Sequence, residues 1–226
     1  MTHPLEATLR AGVAALGLTL TDAQQAQLLA YQDLIQKWTK VYNLTAVRDP
    51  AEMLTHHLLD SLAVLLPLQQ QIAALRASAA LAMDAPVRLL DVGSGAGLPG
   101  AVIAICCPQV TVHCVDTVAK KAAFIQQVAA SLKLPNLRGI HARVEKLTDR
   151  YDVVSSRAFA SLVDFVSWSE QALAEQGIWM AMKGKHPADE MAVLPSTVRV
   201  FHVEPLAVPG LGAERCIVWM ARNTSA

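Results

Sequence analysis

The sequence predicts a Rossmann-like α/β fold: a mostly parallel seven-stranded sheet with an antiparallel edge strand, preceded by an N-terminal helical extension. Three observations predict it. From Val87 onward, short apolar runs of strand character alternate with segments of helical periodicity, the pattern of a parallel sheet covered by helices on both faces. Between the first such strand and the first such helix lies Gly93-Ser94-Gly95-Ala96-Gly97-Leu98-Pro99-Gly100, whose glycines free the backbone where a ligand needs close approach. The last two strands have no helix between them, so a hairpin is expected there, with one strand running against the rest.

Taken in order, Leu5 to Leu16 reads as a first helix ending near Gly17. Thr21-Asp22-Ala23-Gln24 is a capping box, in which Thr21 accepts from the Gln24 N–H and Gln24 reaches back. The helix it starts carries Leu28, Tyr31, Leu34, Ile35 and Trp38 on one stripe, expected to pack on the main domain. Trp38 to Arg48 lacks sustained periodicity and reads as a connection. Asp49 then caps a helix with Pro50 in its first turn, and Met53, Leu54, Leu58, Leu62 and Leu65 face inward. Successive residues on a helix point about 100° apart, so His56 and His57 do not share a face and a zinc site is not expected. His57 and Asp60 remain candidates for lining a cleft.

The alanine-rich stretch from Gln69 to Asp84 marks the expected boundary between a helical extension, residues 1–84, and the core, residues 85–226. In the core, strands are expected at Val87–Val92, Val110–Asp116, Leu137–His141, Tyr151–Ser155, Gly177–Met182, Val198–Val203 and Cys216–Met220. Helices are expected at Leu98–Cys107, Ala119–Leu132, Leu162–Leu173 and Ala188–Val193.

Composition narrows the setting. The 226 residues, 53% of them apolar, suffice for one substantial core with a small addition. Formal net charge is zero, so an anionic partner must be met by a local patch; from Val118 to Arg150 there are seven basic residues against Glu145 and Asp149. Positions 92–115 carry no Asp, Glu, Lys or Arg, but four glycines and two prolines interrupt them and argue against a membrane span. No signal peptide is evident at the start. Cys106, Cys107, Cys114 and Cys216 lack the spacing of a metal or disulfide framework and suit reduced thiols of a cytoplasmic protein.

Two ligand templates overlap at the glycine turn. Gly95-Ala96-Gly97-Leu98-Pro99-Gly100 satisfies the dinucleotide pattern G-x-G-x-x-G, with Asp116 placed to meet ribose hydroxyls. Asp91-Val92-Gly93-Ser94-Gly95-Ala96-Gly97 matches, over more residues, the acidic-Gly-x-Gly-x-Gly turn of S-adenosylmethionine-dependent methyltransferases of the Rossmann-like class. That cofactor has no pyrophosphate, and Asp91 suits its cationic end. Dehydrogenase chemistry lacks a Tyr-x-x-x-Lys, and a P-loop would need Lys then Ser or Thr after its glycines. After the fourth strand, Ser155-Ser156-Arg157-Ala158-Phe159-Ala160 contains neither the Asn/Asp-Pro-Pro-aromatic tetrapeptide of exocyclic-amine methyltransferases nor a cysteine nucleophile. An acceptor that is already nucleophilic remains: guanine N7, whose lone pair needs alignment more than a base, or a small molecule of similar character.

Asn43-Leu44-Thr45-Ala46-Val47-Arg48-Asp49-Pro50, His57-Leu58-Leu59-Asp60-Ser61, the run Leu90 to Gly100, and Ser156-Arg157-Ala158-Phe159-Ala160 occur in the order seen in the RsmG (GidB) family, which the chain resembles from about Leu28 to Met220. The resemblance implies an S-adenosyl-L-methionine-dependent enzyme, yielding S-adenosyl-L-homocysteine and using no metal, that methylates N7 of one guanine, position 527 in the 530 loop, of 16S ribosomal RNA. It implies cofactor contacts at Gly93, Leu98, Val144, Glu145 and Arg157, alongside Asp91, Gly95, Gly97 and Asp116 from the glycine turn. Arg143, Arg157 and Arg215 match the family's candidates for substrate or catalytic support, and Lys183 and Lys185 are further basic positions near the fifth strand. The implied partner is 16S RNA or a small-subunit precursor, with no membrane and a monomer expected. Alternatives are a small-molecule methyltransferase, which has no reason to carry the Asn43 to Asp60 block, and a non-catalytic ribosome-binding protein.

Overall fold

A computed structural model describes residues 3–78 and 80–223. The chain opens with α1 (Glu6–Ala15) and α2 (Asp22–Tyr42), the second started by the expected capping box: Thr21 Oγ1 accepts from Gln24 N–H at 3.1 Å while Thr21 N–H donates to Gln24 Oε1 at 3.0 Å. Helix α2 runs farther than its pattern suggests and stops at Asn43, whose left-handed φ of 50° ends it. The connection is thus shorter than the stretch from Trp38 to Arg48. Asp49 caps α3 (Pro50–Met53), accepting from Ala51 and Glu52 N–H, both at 2.9 Å. A π-helical turn, Leu54–Leu59, follows, then α4 (Asp60–Leu62) and α5 (Leu65–Ala77).

The expected inward residues Met53, Leu54, Leu58, Leu62 and Leu65 are all buried. Helix α5 extends through much of the alanine-rich stretch; alanine favours helix without supplying a strong apolar stripe, so the sequence pattern there is faint. The run Pro50–Ala77 has the length and composition of a membrane-crossing helix. Met53, Leu54, Leu58, Leu62, Leu65 and Leu68 along it are, however, buried in the protein core, and it carries the buried, ion-paired Asp60.

The sheet comprises β1 (Val87–Val92), β2 (Val110–Asp116), β3 (Leu137–His141), β4 (Tyr151–Arg157), β5 (Leu173–Lys183), β6 (Val198–Pro205) and β7 (Cys216–Arg222), in the order β3-β2-β1-β4-β5-β7-β6. Helices α6 (Gly100–Cys106), α7 (Ala119–Ser131), α8 (Leu162–Ser169) and α9 (Ala188–Ala192) connect them. Strands β1 to β5 pair in parallel, and β7 pairs antiparallel with both β5 and β6. The expected hairpin is present, with one correction: the antiparallel strand is β7, seated one place inside the edge, and β6 is the edge. Alternation explains why. Val218 and Met220 face one side of the sheet and Ile217 and Trp219 the other, all fully buried, whereas β6 is only partly covered and suits a margin.

Strand β5 begins at Leu173, earlier than the expected Gly177, and α8 stops at Ser169. Leu173 pairs with Tyr151 ahead of an irregularity in register, so tertiary pairing claims residues that read as helix.

Successive β1 residues point to opposite faces. Leu89 joins α1, α2, α5, α6 and α7 in one apolar cluster; Leu90 and Val92 join Phe165 and Val166 of α8 in another. The N-terminal helices therefore share a core with the sheet. Full burial of a side chain such as Leu28, Ile35 or Leu58 contributes about 1.5–3 kcal/mol each.

Candidate functional site

The cleft lies at the carboxyl ends of β1 and β2, beside the point where the strand order reverses, the usual ligand position in an open α/β sheet. Its volume is about 390 Å³, and Gly93, Asp116, Lys121, Arg143, Glu145 and Phe159 are among the residues around it. The glycine turn shapes one wall. Gly93 has φ 63° and lies so close to Phe159 that a Cβ would overlap the ring; Gly97 has φ 89° and abuts Ile125. Both positions exclude other residues by conformation and by space.

Asp116, at the end of β2, organises the turn. Its Oδ2 accepts from Gly95 N–H at 3.1 Å and lies 3.6 Å from Lys121 Nζ, and its Oδ1 accepts from Val118 N–H at 2.8 Å. Each carboxylate oxygen retains acceptor capacity toward a ligand. Across the cleft, Val144 and Glu145 form a short 3₁₀ turn; Val144 is buried in the core and Glu145 lies 3.5 Å from the exposed Arg143.

Asp91 is placed differently from the expectation that it meets the cofactor's cationic end. It is fully buried below the turn, where Oδ2 accepts from Gly100 N–H at 3.0 Å and Oδ1 from the Ser155 hydroxyl at 3.1 Å. Burial pushes its pKa up to about 7, against the opposing effect of those hydrogen bonds and of Arg157. Gly95 and Gly97 belong to the turn itself, and Leu98 points into the core.

Arg157 and Arg215 do not line the cleft. They meet at Asp60 instead: Arg157 Nη1 donates to Oδ2 at 2.8 Å and Arg215 Nε to Oδ1 at 3.0 Å. Arg215 Nη1 also donates to the carbonyl oxygen of its neighbour Glu214 at 2.8 Å. Nearby, His57 Nε2 shares a hydrogen bond of 2.8 Å with Thr45 Oγ1, and burial, reinforced by the charge of Arg157, pushes the imidazole pKa down to about 4. Lys183 is committed to Glu190, at 2.8 Å, and to the Ala160 carbonyl oxygen, at 3.0 Å, which ties down the segment after β4. Lys185 is exposed.

Three contributors escape sequence reasoning. Tyr31, expected only as a core residue of α2, donates its hydroxyl to the carbonyl oxygens of Ala96 at 2.6 Å and Gly97 at 3.2 Å, so an N-terminal helix holds the glycine turn. Its burial also drives the phenol pKa well upward. Phe159 and Trp168 meet edge-to-face at the cleft, centroids 5.8 Å apart. Phe159 sits in a motif already singled out, whereas nothing in the spacing of Tyr31 or Trp168 distinguishes them from core residues.

TrmN of Thermus thermophilus superposes with TM-score 0.51 at 18% identity, over 67% of this chain and 47% of that one. The glycopeptide N-methyltransferase MtfA, solved with S-adenosyl-L-methionine, gives 0.50 at 12% identity, over 66% and 93%. These likenesses show the fold, and the sheet order with its reversed β7 and glycine-turn cleft is that of the Rossmann-like class I methyltransferases. The family model for GidB, rRNA small subunit methyltransferase G, matches residues 24–218. Proteins named ribosomal RNA small subunit methyltransferase G are similar at 68% identity in Albidiferax ferrireducens, over 97% of this chain and 98% of that one, and at 66% in a Polaromonas species, over 98% and 95%. The chain belongs to this enzyme family.

Proposed function

We propose that the chain transfers a methyl group from S-adenosyl-L-methionine to N7 of one guanine, position 527 in the 530 loop, of 16S ribosomal RNA. The observation that carries this is the pairing of a cofactor-sized cleft at Gly93, Asp116 and Glu145 with a helical layer that holds the cleft through Tyr31, in a chain of the small-subunit rRNA methyltransferase family.

The residues fit the cofactor. Asp116 faces the cleft with acceptor capacity for ribose hydroxyls, Glu145 and Val144 frame the opposite wall for the adenine, and Gly93 leaves room for close backbone approach. Asp91 acts from beneath, fixing the start of α6 through Gly100 and so the shape formed by Gly95, Gly97 and Leu98. When bound, the cofactor supplies an electrophilic methyl on a sulfonium. The protein's part is alignment: guanine N7 has an in-plane lone pair and no proton to lose, so a well-placed base needs no general base. Phe159 and Trp168 give the cleft an apolar rim against which an unstacked base can rest. Arg143, exposed and paired only loosely with Glu145, is placed to meet the RNA from the open side of the cleft, and Arg157 and Arg215 from the Asp60 side. We place the enzyme in the cytoplasm as a monomer, acting on 16S RNA or a small-subunit precursor, without a metal.

Calorimetry with S-adenosylhomocysteine tests the cofactor site. Asp116→Ala is expected to weaken binding at least about tenfold, the equivalent of losing a hydrogen bond to a charged group; equal affinities would remove Asp116 from the ribose role. Mass spectrometry of 16S RNA from a strain lacking the gene is expected to lose one 7-methylguanine, and an unchanged modification profile would refute the reaction.

A further inference from the structure

Asp60 has no counterpart among the residues so far given a role. It heads α4, is 1% exposed, and spends both carboxylate oxygens on different arginines: Arg157 at the end of β4 and Arg215 ahead of β7, 97 and 155 residues away. Further bonds steady each guanidinium. Arg157 Nη1 also donates to the His56 carbonyl oxygen at 3.0 Å, and Arg215 Nη1 to that of Glu214 at 2.8 Å. The π-helical turn Leu54–Leu59 lies directly before Asp60, and a widened turn of this kind recurs at functional sites. Here the His56 carbonyl and the Asp60 carboxylate, four residues apart, converge on one arginine nitrogen.

Two features separate this cluster from an ordinary buried ion pair. One carboxylate serves two guanidiniums, leaving a net positive charge. In addition, Nε and Nη2 of Arg157 and Nη2 of Arg215 have no hydrogen-bond partner among the described residues, and none of the three is sealed from solvent. Guanidinium edges held in this way match oxyanions, which they bind by paired N–H···O bonds.

We infer that Asp60 is a positioning residue that locks Arg157 and Arg215 into one clamp, whose unused N–H edges receive an anionic oxygen. The identity of the oxyanion rests on the proposed function: it is the carboxylate of the methyl donor or a phosphodiester of the RNA. The base itself is a poor ligand for the clamp, since N7 methylation places positive charge on the guanine ring and two cations against it would oppose the reaction.

Asp60→Asn preserves size and removes the charge. Dissociation constants are measured for S-adenosylhomocysteine by calorimetry and for a 16S RNA fragment containing the 530 loop by fluorescence anisotropy, with thermal unfolding as the control for folding. At least one of the two is expected to weaken about fivefold or more. Added to Arg157→Ala with Arg215→Ala, Asp60→Asn is expected to cost less than about twofold further, because a residue that acts through the arginines loses its effect without them. Weaker S-adenosylhomocysteine binding names the carboxylate; weaker RNA binding with a shallower salt dependence names the phosphodiester. Should Asp60→Asn fail to fold, Asp60→Glu keeps the charge, shifts it by one methylene and is expected to show the same loss. Unchanged affinity for both ligands in a folded variant, or a loss fully additive to that of the arginine variants, overturns the inference. A wild type that binds both ligands yet transfers no methyl counts against the proposed function alone, and its binding data still decide the clamp.

Discussion

The glycine-turn cleft and the Asp60 cluster are built by opposite means. The cleft is largely a backbone object: Gly93, Gly95 and Gly97 adopt positive φ, and Asp91 and Asp116 accept from main-chain N–H groups within the span from Asp91 to Val118. The Asp60 cluster is a side-chain object whose members come from the start of α4, a strand end and a loop far apart in the chain. A site of the first kind follows from local conformation and tolerates few residue types. One of the second kind exists only after the N-terminal helices have docked on the sheet.

The contrast has measurable consequences, the largest at the turn. Gly93→Ala forces a side chain into left-handed backbone and against Phe159, so strain and overpacking together are expected to cost on the order of 2–5 kcal/mol of stability and most of the cofactor affinity. Thermal unfolding and calorimetry measure both, and wild-type values would show that the turn is not held by its backbone.

Next comes the response to pH, which is expected to have opposite signs in the two regions. Asp91, at about 7 in the fold against ~3.9 unfolded, costs stability as pH rises from about 4 to 7, because the unfolded chain releases that proton first. His57, at about 4 against ~6.5, costs stability as pH falls from about 6.5 to 4, because the unfolded chain takes up a proton first. The effects are on the order of 4 kcal/mol for Asp91 and 3 kcal/mol for His57. In denaturant titrations across that window, Asp91→Asn is expected to gain on the wild type as pH rises and His57→Asn as pH falls; flat differences would show the two groups titrating as in the unfolded chain.

The smallest effect concerns the link between the regions. Tyr31→Phe strips the Ala96 and Gly97 carbonyl oxygens of their hydroxyl donor and is expected to cost about 1–2 kcal/mol, with a severalfold loss of S-adenosylhomocysteine affinity. Unaltered affinity at lowered stability would confine Tyr31 to packing.

Much of the core is legible in the sequence. The strands Val87–Val92, Val110–Asp116 and Leu137–His141 end where expected: the first is a nearly continuous apolar run buried on both faces, while the other two, toward the edge, alternate apolar with polar residues. The capping box at Thr21 and the Asp49 cap were equally plain, because a cap is written in adjacent residues. Less legible were the start of β5 at Leu173 and the π turn after Met53, where pairing and packing override local periodicity. Of the candidate site residues, Gly93, Asp116, Arg143, Val144 and Glu145 converge on the cleft. The depth of Asp91 was hidden, since a strand-end carboxylate looks alike in sequence whether it faces a ligand or a helix N-terminus.

By itself, the sequence determined the order of strands and helices, the glycine turn, and the motifs that carry the family likeness, all of which depend on neighbours in the chain. Only the tertiary structure decided that β7 lies inside the edge, that Tyr31 holds the turn, and that one buried carboxylate gathers Arg157 and Arg215. Those three depend on which distant surfaces meet, and burial then sets the charge and hydrogen bonding of the groups enclosed there.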